Sequence, residues 1–502
     1  MLRSTLVVTG FTVLSQMVSF LVWAVSAALF GTNVQMDAFL AAVTLPQYVT
    51  AVLLNALAFV LVPVFVQYRS DGREAEAWRV VSAVITLCVI TLGGLALVGV
   101  VFAEELLHLT IPGLGPDALQ LAARMAVITW PIIVPAGVFS LLAGIYNAHG
   151  RFGWPAAAPV LGGVANLVLL WLLVPSQGVV GLAIATTGGT LLQAGLLAPI
   201  VLGAGRFRPA LDWSHPGVRE VLRLLAPLII SGVAVRWTPV VDRFLASRLP
   251  EGAIARLGYA FILVTVLARA LSTGLATVIF PQMAVDAGSA DREALRRRIS
   301  IGLRGMWLTV APFAAIGVVL ALPATAVIFE RGRFGVTDTT AVSGLLRIYL
   351  VALLGMCLGN ITARGFYVLR ETRTLAILGI AEAIAYVGYT SLLAWRFGAA
   401  GIAVGYVLYF NLSIVWQALL LRRRTGPILD RQLVDSFART TGATLVAAAV
   451  AYLVSVPISS AFLRLTVAGT AGLLAYGVAL WLVGSREAEL IRTRLVVGHE
   501  RI

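Results

Sequence analysis

Nine charged residues stand out within or at the ends of long apolar stretches, and their types restrict the chemistry open to them. Six are arginines: Arg124, Arg236, Arg243, Arg269, Arg347 and Arg364. Three are acids: Asp37, Asp242 and Glu382. A guanidinium presents a fork of donors that matches phosphate oxygens, so arginines lining a water-filled cavity suit an anionic, phosphate-bearing substrate. Glu382 stands in Ile380-Ala381-Glu382-Ala383-Ile384 with no basic neighbour within a helical turn. A carboxylate so placed is protonated, hydrogen-bonded, or a ligand for a cation.

Arg236 and Arg243 are two helical turns apart, so a continuous helix carries both on one face. Asp242 adjoins Arg243 and either neutralises it or joins the site. Asp37, Arg243 and Arg364 lie near the ends of their stretches; snorkelling to the headgroups and lining a cavity are both open to them. Asn166 and Asn411 read as interhelical hydrogen-bond formers. Nothing points to bond-making catalysis. His108, His149, His215 and His499 are scattered, Cys88 and Cys357 lie in apolar stretches, and no spacing suits a metal or a nucleophile–base pair. No enzyme activity and no cofactor are expected, apart from Na+ or H+ as a coupling ion.

The elements that must position these residues are membrane helices. The chain is 60% hydrophobic and 12% charged. A soluble protein of this length has no way to cover so much apolar surface. Runs of about 18 residues or more are transmembrane candidates, and fourteen are read at roughly 5–30, 37–67, 79–102, 118–146, 155–174, 180–204, 221–246, 253–283, 300–322, 338–368, 374–395, 399–421, 439–459 and 463–483. The first is read as a retained span and not a cleaved signal.

Every one of the 37 basic residues is arginine. With the N-terminus in the cytoplasm, 25 fall in cytoplasmic segments, 6 in outer loops and 6 within spans. That bias supports an even number of spans with both termini inside. The net charge of +14 is accounted for by topology and anionic lipid headgroups, with no nucleic acid.

The chain also repeats itself. Ile145-Tyr146-Asn147 and Phe366-Tyr367-Val368 are 221 residues apart, and each precedes a basic loop, an apolar span and a Gly-led block, Val180 to Ile184 and Ala400 to Val404. Asp37-Ala38-Phe39 with Pro63 parallels Tyr259-Ala260-Phe261 with Pro281. Six spans separate the copies, so both halves keep one orientation. Parallel repeats of this kind mark transporters with the substrate site between halves. The expected division is 1–220, 221–425, and 426–502 for the last two spans and tail.

Several blocks resemble the MurJ/MviN family, the lipid II flippases of the multidrug/oligosaccharidyl-lipid/polysaccharide exporter superfamily. They are Leu29-Phe30-Gly31, Asp37-Ala38-Phe39, Leu45-Pro46, Leu257-Gly258-Tyr259-Ala260, Thr277 to Pro281, Phe329 to Phe334, Gly365-Phe366-Tyr367, Glu371 to Thr374 and Gly398 to Ala403. The resemblance implies an all-α fold of two six-helix lobes around a central cavity, with helices 13 and 14 forming a groove for a lipid tail. It implies transfer of undecaprenyl-pyrophosphate-linked peptidoglycan precursor from the inner to the outer leaflet of the bacterial cytoplasmic membrane. Lipid-linked saccharide and membrane lipids are the implied partners, with cell-wall synthesis proteins as further candidates and a monomer expected.

The departures from the family concern its cavity. The first span reads Ser19 to Ala24 where the family carries arginine. Thr50-Ala51 replace arginines after the span-2 proline, Asn55 stands near a family acid, and Ile262 replaces an arginine. Asp37 matches cleanly, and Arg269 lies two turns beyond Ile262 on the same face. Relatives that bind sodium between helices 7 and 11 bring in Asp242 and Glu382. The altered cavity leaves two other readings: flipping of another polyprenyl-linked oligosaccharide or polysaccharide precursor, or a non-transporting scaffold in a cell-wall complex.

Overall fold

A computed structural model describes residues 2–203, 207–288, 291–427 and 430–483. Every regular element among them is helical. Two compact units are present, Met1–Ala255 and Arg256–Ile502.

The first unit contains α1 (Leu2–Phe30), α2 (Val34–Ser70), α3 (Glu74–Val101), α4 (Ala103–Thr110), α5 (Pro116–Thr129), α6 (Ile133–Ala148), α7 (Gly153–Gln177), α8 (Val179–Gly195), α9 (Pro199–Leu202), α10 (Pro216–Val235) and α11 (Thr238–Ala246). Helix α12 (Ala253–Gly288) starts at its boundary. The second unit continues with α13 (Arg292–Val319), α14 (Ala321–Phe329), α15 (Val336–Val368), α16 (Thr372–Thr425), α17 (Arg431–Ser455), α18 (Ala461–Leu463) and α19 (Gly469–Leu482).

Twelve described helices are long and apolar enough to span a membrane. The difference from fourteen has two local causes. Spans 11 and 12 are two helical segments that meet without a loop at Gly398, whose backbone is non-helical (φ 59, ψ −136), and together they make up α16. Span 7 is divided into α10 and α11 at Arg236-Trp237. Pro239 explains that break: it has no N–H for the Val235 carbonyl, and its ring crowds that turn. The shared face expected for Arg236 and Arg243 therefore does not form. Span 4 is likewise interrupted by a short 3-10 turn at Trp130–Ile132, which contains Pro131.

Two helices begin before their expected starts at 300 and 439, and each has a capping aspartate. Asp291 accepts the N–H groups of Glu293 (3.0 Å) and Ala294 (2.9 Å). Asp430 accepts that of Leu433 at 2.7 Å. Caps of this kind extend a helix past its apolar stretch.

The internal repeat is written in backbone geometry. Gly178 (φ 57, ψ −138) separates α7 from α8, and Gly398 adopts nearly the same angles 220 residues later. Left-handed backbone of this kind favours glycine. Three residues on, Gly181 and Gly401 lie against the backbone of Leu173 and Leu393, where a Cβ would collide. The turn before each pair repeats too. Gly150 (φ 70) and Arg370 (φ 58) occupy equivalent positions, and Arg370 is the positive-φ non-glycine among the described residues.

The last two spans pack on α13 through small residues. Ala443, Ala447 and Ala451 form a buried stripe on α17. A Cβ at Gly472 would lie 3.0 Å from the Ala451 methyl group and 3.1 Å from the Ala447 oxygen, so α17 and α19 touch closely. Tyr476 on α19 donates to the Leu308 carbonyl at 2.7 Å, and Trp307 stacks on Phe437 at 4.7 Å.

Candidate functional site

In the first unit, one face of α2 organises the polar residues. Asp37, Leu40, Thr44 and Tyr48 recur at helical spacing along it. Asp37 is buried, and its carboxylate accepts Gly252 N–H through Oδ2 and Ala255 N–H through Oδ1, each at 2.7 Å. It caps the start of α12 from a different helix. Next to it, Glu251 accepts Val34 N–H at 3.0 Å. Arg243 on α11 donates through Nη1 to the Leu40 carbonyl (2.8 Å) and the Thr44 hydroxyl oxygen (2.6 Å). Tyr48 donates to the Val233 carbonyl of α10 at 2.8 Å.

These bonds hold span 7 and the start of span 8 against α2. The carboxylate of Asp37 and the guanidinium of Arg243, both expected as cavity groups, act here as braces between helices. Asp242 is half-buried beside Arg243. Arg236 caps α10 through its N–H to Gly232 (3.1 Å), and its side chain is exposed. Arg124 is exposed on α5. The side chain of Asn55 lies outside the described residues.

In the second unit, Arg269 on α12 and Arg347 on α15 are exposed. Arg364 is half-buried, with Nε 3.4 Å from Asn360 Oδ1 and its guanidinium 5.2 Å from the centre of the Phe280 ring. Its place near a helix end fits a cation–π contact.

Glu382 ends a directional polar chain. Thr362 donates to Gln417 Oε1 (2.6 Å), Gln417 Nε2 donates to Ser413 Oγ (2.9 Å), and Ser413 donates to Glu382 Oε2 (2.9 Å). The other oxygen, Oε1, is buried without a hydrogen-bond partner. Tyr386, one turn along from Glu382, and Tyr409, one turn before Ser413, meet edge to face at 5.4 Å. Sequence reading missed Ser413, Gln417 and Thr362. The available signal was Ser413 and Gln417 four residues apart in an apolar span, since such groups require partners in the membrane.

The matched family is described as lipid II flippase MurJ, over residues 26–468. The lipid II flippase MurJ of Burkholderia cenocepacia is 30% identical over 74% of this chain and 74% of its own. The probable lipid II flippase MurJ of Vibrio cholerae is 27% identical over 84% and 83%. Among solved structures, lipid II flippase MurJ in an inward closed conformation superposes with a TM-score of 0.83 at 19% identity, covering 94% of this chain and 98% of that one. An inward-facing MATE family multidrug transporter of the MOP superfamily gives 0.69 at 18% identity, covering 82% and 94%.

Proposed function

From the premise that the chain belongs to the lipid II flippase MurJ family, we propose that it moves lipid II between the leaflets of the cytoplasmic membrane, from inner to outer, by alternating access. The observation that carries this is the extent of the match. It runs over residues 26–468, from the last turn of α1 through both compact units to the residue before α19, so both units are matched and not one segment.

The protein is an integral membrane transporter, and it carries out no bond chemistry. Its substrate is a lipid-linked saccharide handled among membrane lipids. Lipid II carries a pyrophosphate that must leave headgroup water to cross. The arginines whose side chains remain exposed, Arg124, Arg236, Arg269 and Arg347, are the candidates to receive it. Arg243 is committed to α2. Both termini lie in the cytoplasm on this reading, and the protein acts as a monomer.

Glu382 is the candidate coupling group. Its unpartnered Oε1, in an apolar setting, fits a bound proton or a small cation such as Na+. Such an ion would supply charge compensation. The Thr362–Gln417–Ser413 chain holds the other oxygen in place, so the carboxyl group keeps one orientation in either state.

The test is lipid II translocation in reconstituted vesicles, read by the fraction accessible to an impermeant reagent. Accessibility should rise faster than in protein-free vesicles. Equal rates, with the Burkholderia cenocepacia relative active in parallel, would refute the reading.

A further inference from the structure

The first unit contains an apolar groove that adjoins the polar face of α2 at Tyr48. It has a volume of about 430 Å3 and runs between α2, α3 and α10. Val52 and Leu57 of α2, Val84 and Leu95 of α3, and Val221 and Leu225 of α10 line it. From Val84 to Leu95 the lining extends about 16 Å along the helix axis at 1.5 Å per residue. Among the described residues its three polar side chains are Tyr48, Thr91 and Cys88. The Tyr48 hydroxyl is spent on Val233, and the Thr91 hydroxyl donates to the Leu87 carbonyl at 2.7 Å. The occupant therefore has no polar group to satisfy inside, which fits a hydrocarbon chain.

The cytoplasmic end of the groove is basic. Arg219 and Arg223 are exposed on α10 beside Val221 and Leu222. Arg219 Nε donates to the Trp213 carbonyl at 3.2 Å, which leaves its terminal nitrogens for a ligand. The nearby acid Asp212 is occupied by the Ser214 hydroxyl (2.8 Å) and His215 N–H (3.1 Å), and Glu220 is exposed. Arginines at a lipid headgroup attract anionic lipid.

We infer that this groove holds one acyl chain of an anionic phospholipid of the cytoplasmic leaflet, with its phosphate at Arg219 and Arg223. The lipid seats α10 against α2 and α3, and so acts on span 7 and not on the transported substrate.

The measurement is native mass spectrometry of the full chain exchanged into phosphatidylglycerol or phosphatidylcholine. Wild type should retain one phosphatidylglycerol in preference to phosphatidylcholine. Leu225→Trp fills the groove and should hold it roughly tenfold less tightly. Leu224→Trp places the same bulk on an exposed position outside the groove and should match wild type. Arg219→Gln with Arg223→Gln should erase the headgroup preference. Undiminished retention by Leu225→Trp, or equal binding of the two lipids by wild type, would overturn the inference.

A second measurement needs no groove variant. In Cys357→Ala protein, Cys88 is the remaining thiol, and added phosphatidylglycerol should slow its reaction with N-ethylmaleimide. Unchanged reactivity at saturating phosphatidylglycerol would also overturn it. So would protection by undecaprenyl phosphate alone, which would assign the groove to the substrate's tail.

Discussion

Ser413 donates its hydroxyl hydrogen to Glu382 across the bend of α16, at 2.9 Å. The contact ties together the two membrane-crossing helical segments of α16, which meet at Gly398. Gln417 and Thr362 behind Ser413 fix its direction.

Glu382→Gln keeps the size and the acceptor for Ser413 while removing the titrating group. Coupling through Glu382 predicts slower transport that no longer responds to the gradient of the coupling ion, with normal yield of folded protein. Transport in reconstituted vesicles under imposed Na+ and H+ gradients reads this. Unaltered gradient dependence would return Glu382 to a structural role.

Asp37 should act on stability. Its carboxylate takes two backbone N–H groups in a buried site, and hydrogen bonds to a charged group contribute about 1.5–3 kcal/mol each. Asp37→Ala should therefore cost at least ~2 kcal/mol, seen as a lower unfolding temperature in detergent. Asp37→Asn retains one acceptor oxygen and should lose less. Equal unfolding temperatures for wild type and Asp37→Ala would contradict the capping role.

Topology can be read by chemical labelling. In a Cys88→Ala, Cys357→Ala background, Thr337→Cys near the start of α15 should react with an impermeant thiol reagent in intact spheroplasts. Thr372→Cys at the start of α16 should react only after lysis. Ser289, another cytoplasmic position on this topology, lies outside the described residues. The reverse pattern would invert the orientation. Segments that this topology places in the cytoplasm are joined within the second unit: Arg292 donates to the Arg424 carbonyl at 2.7 Å, and Arg424 pairs with Glu371 at 2.9 Å.

The exposed arginines are expected to act on substrate. A phosphate contact with Arg269 should contribute about 1–3 kcal/mol, so Arg269→Ala should weaken lipid II binding roughly tenfold or more. Arg269→Lys keeps the charge without the fork and should recover only part. Arg396→Ala, at an exposed position, serves as the control. Wild-type behaviour of Arg269→Ala would remove Arg269 from the substrate path.

The helical class, the repeat and most spans were legible because apolar length and arginine bias act over tens of residues. Tyr146 and Tyr367, and the glycines after them, marked turns whose backbone angles do repeat. The break at Arg236 was less legible, although Pro239 signalled it, because hydropathy runs straight through span 7. The roles of Asp37 and Arg243 were hidden for a different reason. Their partners are backbone groups and a threonine on other helices, more than 190 residues away in sequence, and no local pattern reports them. Glu382 was found by its charge, while Ser413 and Gln417 pass for ordinary small or polar residues in a membrane helix.

The most direct measurement replaces a bacterium's own lipid II flippase with this chain and follows lipid II at the outer leaflet. Cells depleted of their flippase but expressing the chain should regain outer-leaflet lipid II and continue to grow without lysis. A folded, membrane-inserted chain that leaves lipid II on the inner leaflet would contradict the assignment, and transport of a different polyprenyl-linked glycan by the same chain would redirect it.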